Sequence, residues 1–588
     1  MIAPSLSLNT DCLRHFDYPI FADNIYSGKV RDSVQLNDSE RLIVVSDRIS
    51  AFNIKIKTPI PHKGAVLNGL ANFWLEKTRH ILPNHLLRPI DANATLVRNA
   101  EPIRVEMVVR AYVAGTMWKA YQQGQRLFGS TTLPEGLQLH SPLPTPIITP
   151  TTKDADDTPI SPADIVATGL ASADLYAQME KAALQLFSFG SEYLRQRGII
   201  LVDTKYEFGI LPQTGELILI DELHTPDSSR FWWADDYAKN PQAAEQIDKE
   251  FLRRWLSNNR DENGTIRTSL PDYIVEETAR RYLQIYEIIT GAPLRVAGTS
   301  DIRTRLLANL RKAALIPAVR AAVLTGFGIN CEEETAAALR LAGAEADILH
   351  LNEIFIEGKS IAQYDIIAFA GGFSFGDDIA SGRVLANKIR FRRLPNGRTL
   401  LDELKDFIAA GKYVIGICNG FQMLTRLGLL PNIGGNFEQE ASLIHNDSAQ
   451  FEDRWVCCVG TGTSRTPFAK GISRVDLPIR HGEGKLLFKD KATRQAVENM
   501  GLCVLQYADP ATGKPTAQYP ANPNGAELHC AALCDTTGQV FALMPHPEAF
   551  LSKYNHPDFA HLPTQDDDYG SGLQFFENIV LHTLRKKA

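Results

Sequence analysis

The sequence predicts a multidomain protein with two fold classes: an α+β first half built as two lobes around a nucleotide cleft, and an α/β second half with a doubly wound parallel sheet. Three observations predict it. From Pro317 onward, apolar runs of strand length alternate with helical patterns, the order that builds parallel sheets. Before residue 292 the strand-like runs are mixed with helical ones, and one pair of strands flanks the turn signal Gln213-Thr214-Gly215. Between these regions the stretch from Ala292 to Thr304 is polar, which places one domain over residues 1–292, a linker over 293–316 and a second domain over 317–588.

In the first half, Arg41 to Ser46 and Arg104 to Tyr112 read as strands, and Ile199 to Val202 with Leu217 to Ile220 as a hairpin. Residues 141–162 are rich in Pro, Thr and Asp and read as an extended loop. Residues 243–256 and 271–290 have helical spacing. In the second half Val319 to Leu324 is a strand. Asn330 then caps a helix whose first turn carries Glu332 and Glu333, where acids suit the helix dipole. Asp347 to Leu351 and Tyr364 to Ala370 are further strands, the latter running into Gly371-Gly372. Tyr413-Val414-Ile415 is the strand before Cys418. In such a sheet reactive groups belong at the carboxyl ends of the strands, where Gly371-Gly372 and Cys418 both fall.

A chain of 588 residues exceeds one hydrophobic core. Its hydrophobic content of 44% and charged content of 22% are those of a soluble globular protein, and a net charge of −7 gives no reason to expect nucleic-acid or membrane-surface binding. The eight cysteines form no C-x-x-C pair and no zinc-spaced cluster, and adjacent Cys457 and Cys458 read as small buried hydrophobes. A reducing, cytoplasmic compartment is expected, with no signal peptide and no apolar run of membrane-spanning length.

In the second half, Gly416-Ile417-Cys418-Asn419-Gly420-Phe421-Gln422 puts a cysteine on a strand-to-helix turn, with glycines on both sides to permit the bend and the sulfur exposed. The helix N-terminus favours a thiolate there. His546-Pro547-Glu548 supplies a base and the group that orients it. Attack by Cys418 on a side-chain carboxamide, with His546 moving the proton and Glu548 fixing the imidazole, is amide-transfer chemistry. Backbone N–H groups near Gly372-Phe373 and at Asn419 can form the oxyanion hole.

In the first half, Tyr26-Ser27-Gly28-Lys29-Val30-Arg31-Asp32 sets Lys29 beside a glycine turn suited to phosphate. In Asp203-Thr204-Lys205-Tyr206-Glu207, a strand places Asp203, Lys205 and Glu207 on one face, with Asp221 across the hairpin. Glu207 and Asp221 can hold Mg²⁺ while Lys205 meets phosphate; the alternative reading is a surface ladder of salt bridges. Arg110 can grip phosphate or carboxylate, and Thr225-Pro226-Asp227-Ser228-Ser229-Arg230 is a turn suited to anions.

These residues meet known patterns. G-x-C-x-G-x-Q with a later H-x-E resembles the class I glutamine amidotransferases. Gly328-Ile329-Asn330-Cys331-Glu332, Gly371-Gly372-Phe373-Ser374-Phe375-Gly376-Asp377, His481-Gly482-Glu483-Gly484-Lys485 and Asn522-Pro523-Asn524-Gly525 narrow the likeness to the glutaminase component of phosphoribosylformylglycinamidine synthase, over about residues 317–588. The resemblance implies that Gln422 lies in a glutamine pocket. It also implies that the ammonia goes to a separate large synthase subunit, with a small accessory subunit, whose docking organises the site. It assigns no role to Asp377, Asp378 or Glu483.

Ser46-Asp47-Arg48-Ile49-Ser50-Ala51-Phe52, Thr149-Pro150-Thr151-Thr152-Lys153 and the Asp203 and Thr225 clusters resemble phosphoribosylaminoimidazole-succinocarboxamide synthase, over about residues 15–292. The resemblance implies that ATP activates the carboxylate of carboxyaminoimidazole ribonucleotide for attack by aspartate. By matched position, Lys29, Arg31 and Lys205 face ATP, Glu207 and Asp221 bind Mg²⁺, and Arg110, Thr116, Asp227, Ser228 and Arg230 hold the ribonucleotide. Thr116 replaces the usual serine and keeps its hydroxyl; Asn53 replaces a common aspartate, which puts any metal or base role there in doubt. The expectation is a bifunctional purine-biosynthesis enzyme. The rival readings are a nucleotide-binding scaffold for the first half and a cysteine hydrolase or peptidase for the second.

Overall fold

The computed structural model describes residues 12–587 except 17, 19–20, 22–23, 53, 155–156, 245–246, 248–249, 262–263, 297–300, 463–464 and 562–568. Asn53 thus lies outside the described residues. The chain divides into two compact units, Met1–Leu310 and Arg311–Ala588.

The first unit contains two large antiparallel sheets, beside two-stranded ones. One has β1 (Ile25–Ser27), β2 (Arg31–Gln35), β3 (Glu40–Val45), β4 (Leu86–Asp91) and β5 (Ala94–Arg98), in the order β1-β2-β3-β5-β4. The other has β6 (Glu101–Tyr112), β7 (Pro142–Ile148), β8 (Ile199–Ile210) and β9 (Leu217–Ile220), in the order β7-β6-β8-β9, with β10 (Ser229–Trp233) also on β8. The predicted hairpin is present, with Glu207 opposite Ile220 and Ile210 opposite Leu217. Its first strand is longer than expected and absorbs the whole Asp203–Phe208 cluster.

The loop expected over 141–162 is in part taken up by β7, the short strand Thr151–Thr152 and the start of the helix Pro162–Ala167. Proline suits β7 because the strand lies at the sheet edge, where a missing N–H costs no ladder bond. Helix α1 (Lys63–Lys77), α2 (Ala173–Arg195) and α3 (Asp272–Thr290) pack over a shared core that includes Trp74, Met107, Phe187, Tyr206 and Tyr282. The helix expected over 243–256 is Glu250–Asn258. Within the stretch read as linker, α4 (Ile302–Lys312) grips the first unit through two 3.0 Å contacts from Arg305 to the Asp91 carboxylate.

The second unit is built on one sheet of nine strands: β11 (Arg320–Thr325), β12 (Glu345–His350), β13 (Ile366–Phe369), β14 (Tyr413–Ile417), β15 (Glu452–Gly460), β16 (Arg474–His481), β17 (Cys503–Ala508), β18 (Cys530–Cys534) and β19 (Val540–Leu543). The order is β12-β11-β13-β14-β19-β18-β17-β15-β16. The first five strands in that order run parallel, but the rest pair antiparallel, so the parallel pairing expected is found on only one side of the sheet. The reason is connection length: β18 and β19 are joined by a tight turn through Asp535–Gly538, and only antiparallel neighbours accept so short a link. Among the described residues, no helix is long and apolar enough to cross a membrane. All eight cysteines are unbridged, and Cys457 and Cys458 are buried.

Candidate functional site

In the first unit, β8 presents Asp203, Lys205 and Glu207 on one side, as alternate residues of a strand must. Asp203 Oδ2 accepts from Arg110 Nη1 at 3.2 Å and faces Arg230 Nη1 at 3.3 Å. Arg110 also donates from Nε to Thr149 Oγ1 at 2.9 Å. Burial lowers the Arg110 pKa; Asp203 opposes the drop and Arg230 adds to it. The Arg230 guanidinium lies against Gly115, where a Cβ would stand 2.1 Å from Nη1 and the backbone has φ +57. Only glycine permits both. Lys205 Nζ donates to Glu106 Oε1 at 2.7 Å and stands 3.6 Å from Glu207 Oε1, while Lys153 pairs with Glu207. These carboxylates are buried, which overturns the surface-ladder alternative.

A cleft of about 410 Å³ opens over this face, lined by Glu106, Arg110, Thr116, Asp203, Lys205, Asp227, Ser228 and Arg230 among others. Asp227 accepts from the fully buried Lys63 Nζ at 3.0 Å and from Tyr282 Oη at 2.6 Å. Ser228 is held in its turn by hydrogen bonds with Thr225. Four expected residues, Lys29, Arg31, Glu207 and Asp221, do not line it. Arg31 pairs with Asp221 and Glu222, and these carboxylates raise its pKa although burial opposes the charge. Lys29 is exposed on the β1–β2 turn, close enough to act on Asp157. The cleft is thus walled by the second sheet and its loops, with Thr116 and Arg253 from helices, and among the described residues none of its lining comes from the first sheet. The sequence reading missed Glu106, Lys63, Glu222 and Tyr282. The two-residue period joining Glu106 to Arg110 was a usable signal; Lys63 and Tyr282 gave none, because each meets Asp227 only through packing.

Glu207 and Asp221 form the candidate metal corner. Burial, then repulsion from Asp221, push the Glu207 carboxyl up to about 7, against Lys153 and Lys205. At Asp221 burial acts in the same sense, but Arg31, Lys205 and Lys153 outweigh it and hold the group below the usual carboxylate range. Two neighbouring carboxylates that repel one another, Glu207 buried and Asp221 half-buried, fit Mg²⁺, which prefers oxygen ligands. The pH dependence follows. A ligand proton must leave before the ion binds, so apparent Mg²⁺ affinity should fall by up to tenfold per pH unit as pH drops below the Glu207 value of about 7. Mg²⁺ titrations across neutral pH check this, and Glu207→Gln should weaken binding and flatten the profile. An unchanged Mg²⁺ dependence in that variant would remove Glu207 from the metal site.

In the second unit, Cys418 sits between β14 and the helix α6 (Asn419–Arg426) with φ 51 and ψ −103. The strain is at the cysteine itself, and such conformations cost about 1–3 kcal/mol. Gly416 and Gly420 serve a different purpose from the one expected. Neither has positive φ, but a Cβ on Gly416 would stand 2.6 Å from Leu424 Cδ1, and one on Gly420 2.1 Å from the Phe369 carbonyl oxygen. They allow the helix to close down on the sheet. The sulfur is also less open than expected, with Cys418 only 5% exposed. The reason is enclosure: Sγ donates to the Arg480 carbonyl at 3.6 Å, and Gly371 and His546 lie close over the same end of the sheet.

His546 and Glu548 come from the opposite end of the unit's sequence and meet this thiol. His546 Nδ1 and Glu548 Oε1 are 2.6 Å apart, both residues buried. Burial opposes the imidazolium, but Glu548, Cys418 and Cys331 outweigh it and raise the His546 pKa well above the ordinary value. Of the expected oxyanion donors, Phe373 is excluded in this conformation because its N–H donates to the Gly328 carbonyl at 2.8 Å. The Gly372 N–H and that of Asn419 at the first helical position remain. Gln422 spends its amide internally: Nε2 donates to the Glu483 carbonyl at 2.7 Å, and Oε1 accepts from Asn419 Nδ2 at 2.9 Å. Asp377 and Glu483 join the same network, through Asn419 Nδ2 at 3.3 Å and the Ser381 N–H at 3.2 Å, whereas Asp378 is exposed. Asn330 is not the helix cap expected. Cys331 occupies that position before α5 (Glu332–Leu341), and Asn330 donates its N–H to the Gly371 carbonyl at 3.2 Å. The sequence reading singled out the His481 segment but gave His481 no role; it is buried, acts on His546 and is pushed down to about 3 by burial.

Comparison with known proteins matches residues 24–268 to the SAICAR synthetase family model and residues 318–582 to the CobB/CobQ-like glutamine amidotransferase domain model. The first half is similar to a phosphoribosylaminoimidazole-succinocarboxamide synthase of Azobacteroides pseudotrichonymphae, 40% identical over 294 residues, which are 49% of this chain and 90% of that protein. A protein of the same name from Bacteroides fragilis is 41% identical over 295 residues, covering 49% of this chain and 93% of the relative. The solved SAICAR synthase from Saccharomyces cerevisiae, complexed with SAICAR, is 34% identical over 46% of this chain and 95% of that one, with a TM-score of 0.42.

Proposed function

Since the chain belongs to the phosphoribosylaminoimidazole-succinocarboxamide synthase family through its first half and carries a CobB/CobQ-like glutamine amidotransferase domain in its second, we propose that it is a bifunctional enzyme of purine biosynthesis. The first unit joins aspartate to carboxyaminoimidazole ribonucleotide at the expense of ATP. The second hydrolyses glutamine and passes ammonia to a separate phosphoribosylformylglycinamidine synthase subunit, with a small accessory subunit in the assembly. Cytoplasmic location is part of the same reading.

One observation carries it: a single chain holds both a buried lattice of alternating charge facing a cleft and a strained cysteine beside a carboxylate-held imidazole. In the cleft, Arg110 and Arg230 neutralise phosphate or carboxylate on the ribonucleotide, with Thr116 and Ser228 offering hydroxyls and Asp227 held ready by Lys63 and Tyr282. Lys205, Lys29 and Arg31 attend the ATP phosphates. Mg²⁺ held by Glu207 and Asp221 would neutralise charge on the transferred phosphoryl group. The protein's own work is positioning and charge compensation, and no covalent intermediate is required of it. In the second unit Cys418 attacks the glutamine carboxamide, His546 passes the proton to the departing ammonia, and the Gly372 and Asn419 N–H groups receive the oxyanion.

The test is direct. The purified full chain is supplied with ATP, aspartate and the ribonucleotide, and separately with glutamine, in the presence and absence of the synthase subunit. Succinocarboxamide formation and synthase-stimulated glutaminase activity are the expected results. Nucleotide binding without turnover would leave a scaffold, and peptide cleavage without glutaminase activity would leave a cysteine hydrolase.

A further inference from the structure

The second unit holds a cleft of about 640 Å³ that neither proposed activity uses. Four cations line it: Arg383 and Arg390 from the helix Arg383–Phe391, Lys405 from the helix Leu400–Ala409, and Arg426, the last residue of α6. Among the described residues, Glu438 is the only acid in the lining, and none of the four cations makes an ion pair. The arginines of the first unit behave differently: Arg31, Arg110, Arg230 and Arg305 all have carboxylate partners. Carboxylates are not scarce in a chain of net charge −7, so their exclusion here is local. Arg390, Lys405 and Arg426 are half-buried and held by uncharged groups. Arg390 Nη2 donates to the Arg426 carbonyl at 3.2 Å, Arg426 Nε donates to the Ser381 carbonyl at 3.0 Å, and Lys405 Nζ lies 5.0 Å from the centre of the Phe437 ring. These contacts fix the side chains and leave their charge uncompensated. Burial lowers the Arg426 pKa, and Arg383 adds to the drop against Glu483 and Asp377.

We infer that this cleft is a binding site for a nucleoside di- or triphosphate, with Arg383, Arg390, Lys405 and Arg426 on its phosphates. Like charges gathered in a concave, partly desolvated place repel one another, and an anion seated among them recovers that energy. Guanidinium groups meet phosphate oxygens through paired N–H donors, so three arginines suit phosphate better than a scattered basic face would. A merely solvated face would also leave its long side chains free, whereas three of these four are tethered. The size argues for more than a bare phosphate, since small-molecule sites span about 300–1,000 Å³. The rest of the lining suits a nucleoside. Asn387 and Asn436 offer carboxamides that both donate and accept, as a base edge or a ribose requires. Phe391 stands at the cleft with 69% of its surface exposed, an aromatic face on which a base can stack. The inference depends on neither proposed activity.

The test uses the full chain and 8-azido-ATP as a photoactivated probe, with the labelled peptides mapped by mass spectrometry. Mapping keeps this cleft apart from the nucleotide site proposed in the first unit. Label should appear within residues 383–391 or 436–439, and excess ATP should remove it. The concentration dependence of that label gives the affinity of the cleft alone. Arg390→Glu should weaken it at least about tenfold, the lower end for losing a hydrogen bond to a charged group. Arg390→Gln, which keeps a donor for the Arg426 carbonyl, should weaken it in the same direction, and thermal unfolding checks that both variants are folded. Raising the salt concentration should weaken labelling of the cleft in the wild type. Label confined to the first unit overturns the inference, as does equal affinity of the cleft in the wild type and both folded variants. Protection of the cleft by a poly-glutamate peptide but not by ATP also overturns it, and would make the cleft a docking surface for an acidic partner. Protection by inorganic pyrophosphate at lower concentration than by ATP would overturn the nucleoside assignment.

Discussion

Cys418→Ala should lower glutamine-dependent ammonia release by about 10⁴-fold or more, the scale seen when the nucleophile of a covalent hydrolase is removed. That is about 5.4 kcal/mol of lost transition-state stabilisation, at about 1.36 kcal/mol per decade. The loss should be this complete because no other group is placed to replace the thiol. The Cys331 sulfur touches the same imidazole, but Cys331 lies before α5, away from the strand-to-helix turn that carries Cys418. The variant should still support synthesis when ammonia is supplied, and its succinocarboxamide-forming activity should stay near wild type, because the two units have separate cores and separate sites. The measurement is parallel assay of glutamine-dependent, ammonia-dependent and ligase rates. A glutamine-dependent rate within tenfold of wild type would remove Cys418 from its role, and a fall in the ligase rate would mean that the units are coupled.

Asp203→Ala should destabilise the first unit by about 3–5 kcal/mol, the cost of breaking a buried ion pair from one side. Asp203 Oδ2 is the shared counter-charge of Arg110 at 3.2 Å and Arg230 at 3.3 Å. Without it two guanidiniums repel one another in a largely buried place, where burial already lowers the Arg110 pKa. Asp203→Asn should cost less, since an amide oxygen still accepts a hydrogen bond. Denaturant unfolding followed by tryptophan fluorescence resolves the effect, because every tryptophan except Trp455 belongs to the first unit. Added substrate anion should recover part of the loss in the alanine variant, since it restores negative charge beside the two arginines. A stability change under about 1 kcal/mol would mean that the arginines are solvated and that the lattice is not a preorganised anion site.

Much of this was legible in the residue order. Strand ends, the hairpin at Gln213-Thr214-Gly215, the elbow around Cys418 and the face shared by Asp203, Lys205 and Glu207 all follow from local periodicity and turn chemistry, which act over a few residues. The errors have a common origin. Residues 141–162 read as a loop because proline opposes strands, but an edge position removes that objection. The sheet of the second unit read as parallel throughout because its first strands are, while the antiparallel side depends on short links between later ones. Phe373 read as an oxyanion donor because it follows the glycine pair at the carboxyl end of a strand; that its N–H belongs to Gly328 depends on a bridge between two loops.

The sequence by itself determined which reactive groups the chain owns and which element carries each: a cysteine between strand and helix, a histidine two residues before a glutamate, and carboxylates and cations alternating along a strand. Only the tertiary structure decided who shares whom. It set Lys63 and Tyr282 on Asp227, Arg31 on Asp221 and Glu222, and Cys331 beside the imidazole that Cys418 also approaches. The physical reason is range. Backbone propensity and side-chain alternation are settled among near neighbours. A buried charge or an imidazole must instead find its partner wherever close packing brings one within a few ångströms, and that distance carries no trace in the spacing of the residues.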